Sequence, residues 1–447
     1  MLYSLTRRIG VIAINLFFNK ISVENKKNIP QQGPVIFVAN HPNYFMDPLI
    51  IGSLSPRRLH FFAKSTLFDT KLKKMFLKGL NIIPIYRKMD DEKNMGKNIR
   101  SFEKGYKVLD NKNAILLFPE GFSNGKRVLG KIKTGAARIA LEAEKINDFK
   151  LNVCIVPVGI SYSNIAQFRS NVIVKYGKAI RLKAFKEDFF KNKTNTVNAI
   201  SFEIGNSLKE LTNCFQNEEL ETIVEQIKSI YITKLKSQLE VNRKIDGFTL
   251  YKILIQATEW FNHNDPVVLD EFSYKLNIYF KSLNKLGIRD EFLNPYRNES
   301  GALRDFTSII ILTLGFPVYL YGMFLNYAPY KLSRLLITDK TATAEIATRK
   351  LLYGSISYLI YYGIIVSFFC FNIDSTYYRL IFLISLIPSG NFALYYSKIL
   401  FKNMRYINFL ILIYKCNYNI QNLAKQRRML VARLDELKKI YEKSNDS

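Results

Sequence analysis

Between residues 35 and 180 short runs of consecutive apolar residues alternate with stretches whose apolar positions recur at helical spacing. This alternation predicts an α/β layer architecture. Strands are expected over residues 35–39, 59–63, 82–86, 114–118, 153–160 and 172–176, and helices over 48–54, 70–79, 93–109 and 133–144. In the last of these helices Ala136, Ala137, Ile139, Ala140 and Ala143 supply a narrow face for close packing.

The pattern then changes. Residues 200–211, 220–239 and 272–286 carry helical apolar spacing without obvious chemistry. Three apolar stretches follow, at 308–325, 351–371 and 377–397, each near the roughly 20 residues that span a bilayer. In the charged terminal helix Leu423, Leu430 and Leu437 recur every seven residues. At the other end Arg7 and Arg8 precede the apolar run 9–18, and no small-residue cleavage site follows before Asn19 and Lys20. This segment reads as an interfacial helix with its arginines near lipid headgroups. The expected organisation is an interfacial membrane helix at 1–20, an α/β domain at 21–195, a helical insert or bridge at 196–300, membrane-embedded helices at 301–415 and an amphipathic helix at 416–447.

Charge sharpens the choice of partner. Lysine and arginine number 65 against 37 acidic residues, a formal net charge of +28, which suits a phosphate-bearing partner: nucleic acid, an anionic bilayer or a phosphorylated small substrate. The apolar C-terminal third favours an anionic membrane, and no nucleic-acid module is recognisable, so no nucleic acid is expected. The four cysteines lie far apart, in no zinc or disulfide spacing, so neither a metal nor a cofactor is expected.

Three histidines exist, at 41, 60 and 263, and a general base at neutral pH is most often histidine. His41 leaves a buried apolar run, on a loop where a rigid scaffold can present a side chain to a cleft. Asp47 is placed to fix its tautomer, so that the other ring nitrogen takes a proton from an attacking hydroxyl. Asp47 before Pro48 is equally a helix N-cap followed by proline at the first helical position, and both readings stand. The dyad requires His41 in the loop and Asp47 at the helix start. Arg87 at a strand end is a candidate phosphate clamp. Glu120 reads either as a holder of substrate hydroxyls or as a brace of loop backbone, and Gly121 as a point of close backbone approach. Lys133-Thr134-Gly135 opens a helix whose amides suit a phosphate, without a full P-loop pattern. His60 reads as structural and His263 as part of a turn.

Four ordered blocks resemble the phospholipid/glycerol acyltransferase family: Asn40-His41 with Asp47, Pro84-Ile85-Tyr86-Arg87, Phe118-Pro119-Glu120-Gly121 and Val156-Pro157-Val158. The resemblance implies an α/β acyltransferase domain with a mixed sheet flanked by helices, followed by a helical region and C-terminal membrane helices. It further implies a membrane-bound O-acyltransferase that moves a fatty acyl group from acyl-CoA or acyl-carrier protein to a hydroxyl of glycerol 3-phosphate, 1-acylglycerol 3-phosphate or another lysophospholipid. His41 and Asp47 would be catalytic, and Arg87, Glu120, Gly121, Lys126 and Lys133 would bind substrate. The five residues between His41 and Asp47 resemble a branch that includes fungal-type glycerol-3-phosphate acyltransferases. Where many relatives have glycine ahead of the second block this chain has Asn81, which tolerates a left-handed backbone. After Gly121 the usual Thr-Arg is replaced by Phe122-Ser123, with Lys126, Arg127, Lys131 or Lys133 as substitutes.

The basic residues at 331, 334, 340, 349 and 350, and those at 398, 402 and 405, place their connections in the cytoplasm by the positive-inside rule. A cytoplasmic catalytic domain then requires the first apolar stretch to be a broken, re-entrant segment, with Pro317 and Pro329 as the breakers. The competing expectation is a lipid-binding membrane scaffold without catalysis.

Overall fold

The computed structural model describes residues 2–87, 91–240, 247–294, 301–338 and 340–445. Eight strands form one mixed sheet: β1 (Lys20–Glu24), β2 (Val35–Ala39), β3 (Leu59–Lys64), β4 (Ile82–Ile85), β5 (Ala114–Leu117), β6 (Cys154–Tyr162), β7 (Asn171–Tyr176) and β8 (Ile180–Arg181). Their spatial order is β1-β7-β6-β2-β5-β3-β4, with β8 beside β6. Every pairing is parallel except those of β6 with β7 and β8. The central strands are uniformly apolar because both faces are covered. Val35, Phe37 and Ala39 of β2 face a cluster shared with Ile14, Phe17, Met46 and Ile50. Ile36 and Val38 face the opposite one, with Ala137, Ala140, Ile200 and Leu208.

Because β2, β5, β3 and β4 run parallel, their carboxyl ends emerge at one edge, the edge where α/β sheets place ligand sites. Strands β1 and β8 were not expected. Lys20-Ile21-Ser22-Val23-Glu24 mixes polar and apolar positions as an outer strand does, and β8 has only two residues. The helix expected over 93–109 is a 3-10 segment, Glu92–Lys97, followed by an α-helix, Asn98–Asp110. Asn81 takes up the left-handed conformation, with φ of 60°.

The N-terminal helix is Leu2–Phe17. Ile14 and Phe17 are buried in the sheet core, each contributing roughly 1.5–3 kcal/mol of burial. Leu5, Ile9, Ile12 and Leu16 form an exposed stripe along the other side. Arg7 is held against the protein. Its guanidinium donates to the carbonyls of Ser53 and Ser55 at 3.3 and 2.6 Å, satisfying groups that the end of helix Met46–Leu54 leaves open.

Contacts divide the chain into two units, Met1–Cys214 with Ile337–Tyr353, and Phe215–Leu336 with Gly354–Ser447. Helix Lys193–Leu211 belongs to the first, since Ile200, Ile204 and Leu208 complete its core. The expected boundary near residue 300 lies outside the described residues. In the second unit, helix Gly247–Asn264 runs through His263, so the expected turn begins only at Asp265. The Asp265 side chain caps helix Pro266–Leu286 by accepting from Val268 N. Arg427, almost fully buried, donates to both carboxylate oxygens of Asp290 and to the Ile230 carbonyl, which leaves this buried ion pair well satisfied. Leu423, Leu430 and Leu437 are buried along one face of the terminal helix.

Among the described residues two helices, Thr343–Asn372 and Thr376–Cys416, are long and apolar enough to cross a membrane, and a third candidate, Thr307–Leu314 with Phe316–Leu335, is bent by 60°. The bend falls at Gly315, just ahead of Pro317. Pro329 causes no break and sits inside helix Phe316–Leu335, so of the two expected breakers only the first operates.

Candidate active site

Strand β2 ends at Ala39, and the loop that follows delivers His41 to the carboxyl edge. Asn40 anchors this exit. Its amide donates to the Ile160 carbonyl at 2.9 Å and accepts from the Ile160 amide at 2.7 Å, clamping the loop to β6 in both directions. Each such buried bond contributes about 0.5–1.5 kcal/mol.

Helix Met46–Leu54 starts earlier than the Asp-Pro pair suggested, and Asp47 lies in its first turn instead of capping it. Its carboxylate turns back into the loop. Oδ2 meets His41 Nδ1 at 2.8 Å and accepts the Asn43 amide at 2.7 Å, while Oδ1 accepts the Tyr162 hydroxyl at 2.5 Å. His41 in the loop and Asp47 at the helix start are thus joined directly. Burial pushes the Asp47 carboxyl above its ordinary range, opposed by His41, Tyr162 and the Asn43 amide. A fully buried Asp with three partners is a group held for one geometry.

The His41 ring is stacked on Phe118, with centroids 3.9 Å apart and planes 17° apart. Glu120 supports the same loop from the other side. One oxygen accepts the His41 amide at 2.7 Å and the other accepts the Gly130 amide at 2.8 Å. Of the two expectations for Glu120, this geometry is the loop brace. Burial raises its carboxyl also, against the two amides that lower it. Ser123 Oγ accepts the Tyr44 amide at 2.8 Å, a further tie between the loops.

Gly121 has φ of +79°, a conformation that favours glycine. The Arg87 guanidinium donates to its carbonyl, and the Lys133 side chain lies where a Cβ at Gly121 would project. Arg87 and Lys133, 46 positions apart in sequence, are therefore gathered at one glycine. Lys126 is itself exposed on the same loop, its backbone amide bonded to Asn124 Oδ1 at 2.9 Å. His60 lies on β3 within the sheet, where burial lowers its imidazole. A cavity of about 380 Å³ is lined by Lys64, Thr66, Leu67, Asp69, Lys73, Phe76 and Leu77, none of them a site candidate. Lys64, at the end of β3, sets its ammonium 5.5 Å from the centre of the Tyr44 ring.

Phe118, Tyr162 and Asn43 were not assigned roles from sequence. Phe118 stands inside a quoted block, and Tyr162 is the polar-tipped member of the alternating set Val156, Val158, Ile160, Tyr162 that faces one side of the sheet. No sequence signal pointed to Asn43, whose amide acts through the backbone.

The acyltransferase family model matches residues 20–161, a span holding every candidate site residue and all but the last of the residues around Asp47. Glycerol-3-phosphate O-acyltransferase 1 of Saccharomyces cerevisiae is 28% identical over 180 residues, 38% of this chain and 22% of that protein. A probable 1-acyl-sn-glycerol-3-phosphate acyltransferase of Mycoplasma pneumoniae is 32% identical over 129 residues, 28% of this chain and 46% of its own length. The chain thus spans less than half of either relative. The crystal structure of the 1-acyl-sn-glycerophosphate acyltransferase of Thermotoga maritima aligns over 47% of this chain and 79% of that one, with 19% identity and a TM-score of 0.35. Residues 20–161 are thus the part of this chain that matches the acyltransferase family.

Proposed function

We propose that the protein is a membrane-bound glycerolipid O-acyltransferase in which His41 serves as general base and Asp47 as its orienting partner. The observation that carries this reading is the bond of 2.8 Å between His41 Nδ1 and Asp47, which commits Nδ1 and leaves Nε2 for the acceptor. The hydroxyl gives its proton to Nε2 as its oxygen attacks the thioester carbonyl carbon. The tetrahedral state collapses with cleavage of the C–S bond, and the imidazolium returns the proton to the departing thiolate. The serine-protease arrangement uses the same partnership of base and carboxylate, with the nucleophile here brought by the substrate.

Arg87 and Lys133 converge at Gly121 and are the cations that this reading gives to the acceptor phosphate, with Lys126 further out on the loop. Glycerol 3-phosphate and 1-acylglycerol 3-phosphate are the acceptors named for the relatives, and both present a phosphate and a free hydroxyl. The donor is an acyl thioester, carried on coenzyme A or on acyl-carrier protein. The two long apolar helices and the exposed stripe Leu5, Ile9, Ile12, Leu16 support a bilayer location, with the α/β domain on the cytoplasmic face. Purified full-length protein given labelled acyl-CoA or acyl-carrier protein with glycerol 3-phosphate, lysophosphatidate or other lysophospholipids should form the acylated product. Absence of transfer to every acceptor would replace this reading with that of a lipid-binding scaffold.

A further inference from the structure

The stretch Ile337–Tyr353 packs within the α/β unit although it follows the first helical segment of the other. It holds the opening turns of the apolar helix Thr343–Asn372. Ala347 is fully buried in the cluster that contains Val35, Phe37 and Met46, and Leu351 packs at its margin together with Phe118. Gly125, with φ of +70°, lies so close that a Cβ there would stand 2.6 Å from Ala344 N and 2.9 Å from Thr343 Cβ. Lys350 reaches sideways and donates to the Ala166 carbonyl at 2.8 Å.

Ala166 belongs to a loop pinned by three donors. The Ser163 carbonyl accepts from Arg127 at 2.7 Å, the Ile165 carbonyl from the Asn43 side chain at 2.9 Å and the Ala166 carbonyl from Lys350. Asn43 is also the residue whose amide holds Asp47. On the other side, Gly125 and Gly130 belong to one loop, and Gly130 is bonded to Glu120, the brace of His41. The loops that carry both supports of the dyad therefore also touch the opening turns of this helix.

We propose that residues 343–351 are a positioning element of the active site, in which Lys350 fixes loop 163–166 and, through Asn43, the carboxylate that orients His41. Ile165 is buried in the apolar cluster while Ser163 and Asn164 beside it are exposed, and a bond from an ammonium to a carbonyl is stronger than one between neutral groups. Lys350 touches no reacting atom, and its influence on rate rests on the acyl-transfer reading above. Its influence on the loops does not.

The test compares Lys350→Met, Lys350→Arg and Arg349→Met in the full chain, by steady-state kinetics and by hydrogen–deuterium exchange of residues 41–47 and 163–170. Arg349→Met removes the same charge one residue away, from a side chain paired with Glu345 on its own helix. Lys350→Met should lower kcat about 10- to 100-fold with acceptor KM within about 2-fold, the loss expected of a displaced base. Exchange should rise in both loops, Lys350→Arg should recover most of the rate, and Arg349→Met should behave as wild type. Unchanged exchange in Lys350→Met would overturn the proposal, as would an arginine variant as impaired as the methionine one. A wild-type protein without acyl transfer would refute the reading above, and the exchange comparison would still decide this one.

Discussion

Tyr162 donates its hydroxyl to Asp47 Oδ1 across 115 positions of sequence, from the last residue of β6 to the first turn of a helix. That bond lowers the Asp47 pKa against the burial that raises it. Removing it in Tyr162→Phe raises the pKa further. Under the proposed reading activity needs the ionised carboxylate to favour the imidazolium, so it is present above the Asp47 pKa and fades as pH falls through it. The acid limb of the kcat profile should therefore move to higher pH, and kcat near neutrality should fall about 10-fold. An acid limb at the wild-type position would show that Tyr162 does not act through Asp47.

Glu120 needs two acceptor oxygens, one for His41 N and one for Gly130 N. Glutamine has one. In Glu120→Gln a backbone donor faces an NH₂ group in a buried place, which costs about 1–3 kcal/mol. We expect a lower melting temperature and a kcat reduced about 10-fold or more through displacement of His41. Equal exchange protection of residues 125–131 in variant and wild type would contradict the brace.

Arg87 and Lys133 meet at Gly121. If they hold the acceptor phosphate, Arg87→Ala should raise the acceptor KM about 10- to 100-fold, as for a lost charge-assisted hydrogen bond, and leave the donor KM alone. Lysine at this position restores charge without the planar fork and should recover only part of the affinity. A variant whose acceptor and donor KM rise together would instead have a disordered Gly121 loop.

The legibility of this protein from sequence follows the range of the interactions concerned. Strands β2, β5 and β6 were readable because covering both faces makes each an uninterrupted apolar run, and β3, β4 and β7 because each keeps a short apolar run; β1 was not, since its residues are half-exposed and its polar positions resemble a loop. His41 and Asp47 were readable because six positions bring them together once a loop precedes a helix start. Asn40, Tyr162 and Lys350 were not, because their partners lie 120, 115 and 184 positions away, and only the strand pairing and the docking of residue 350 bring them close. For Glu120 two roles were written in the same four-residue block, and the deciding fact was the position of Gly130. Pro329 illustrates the limit of a breaker rule, since a proline within a helix of the apolar region is tolerated when neighbours accommodate it.

Topology is open to a direct measurement. Residues 373–375 join helix Thr343–Asn372 to the next apolar helix, and Lys340 lies exposed ahead of the first. With the catalytic domain in the cytoplasm, a cysteine replacing Ser375 should react with an impermeant thiol reagent in sealed cells. One replacing Lys340 should react only after permeabilisation. The opposite pattern would put the domain outside, away from cytoplasmic thioesters.

The central claim is that His41 is the base for acyl transfer. Its direct test is the rate of labelled product formation by purified His41→Ala beside wild type, with acyl thioester and glycerol 3-phosphate or lysophosphatidate, each protein checked for its thermal transition. The account predicts that wild type transfers the acyl group and that the variant keeps its fold while kcat drops on the order of 10²- to 10⁴-fold, the range for loss of a general base. A folded His41→Ala protein that turns over at the wild-type rate would contradict it.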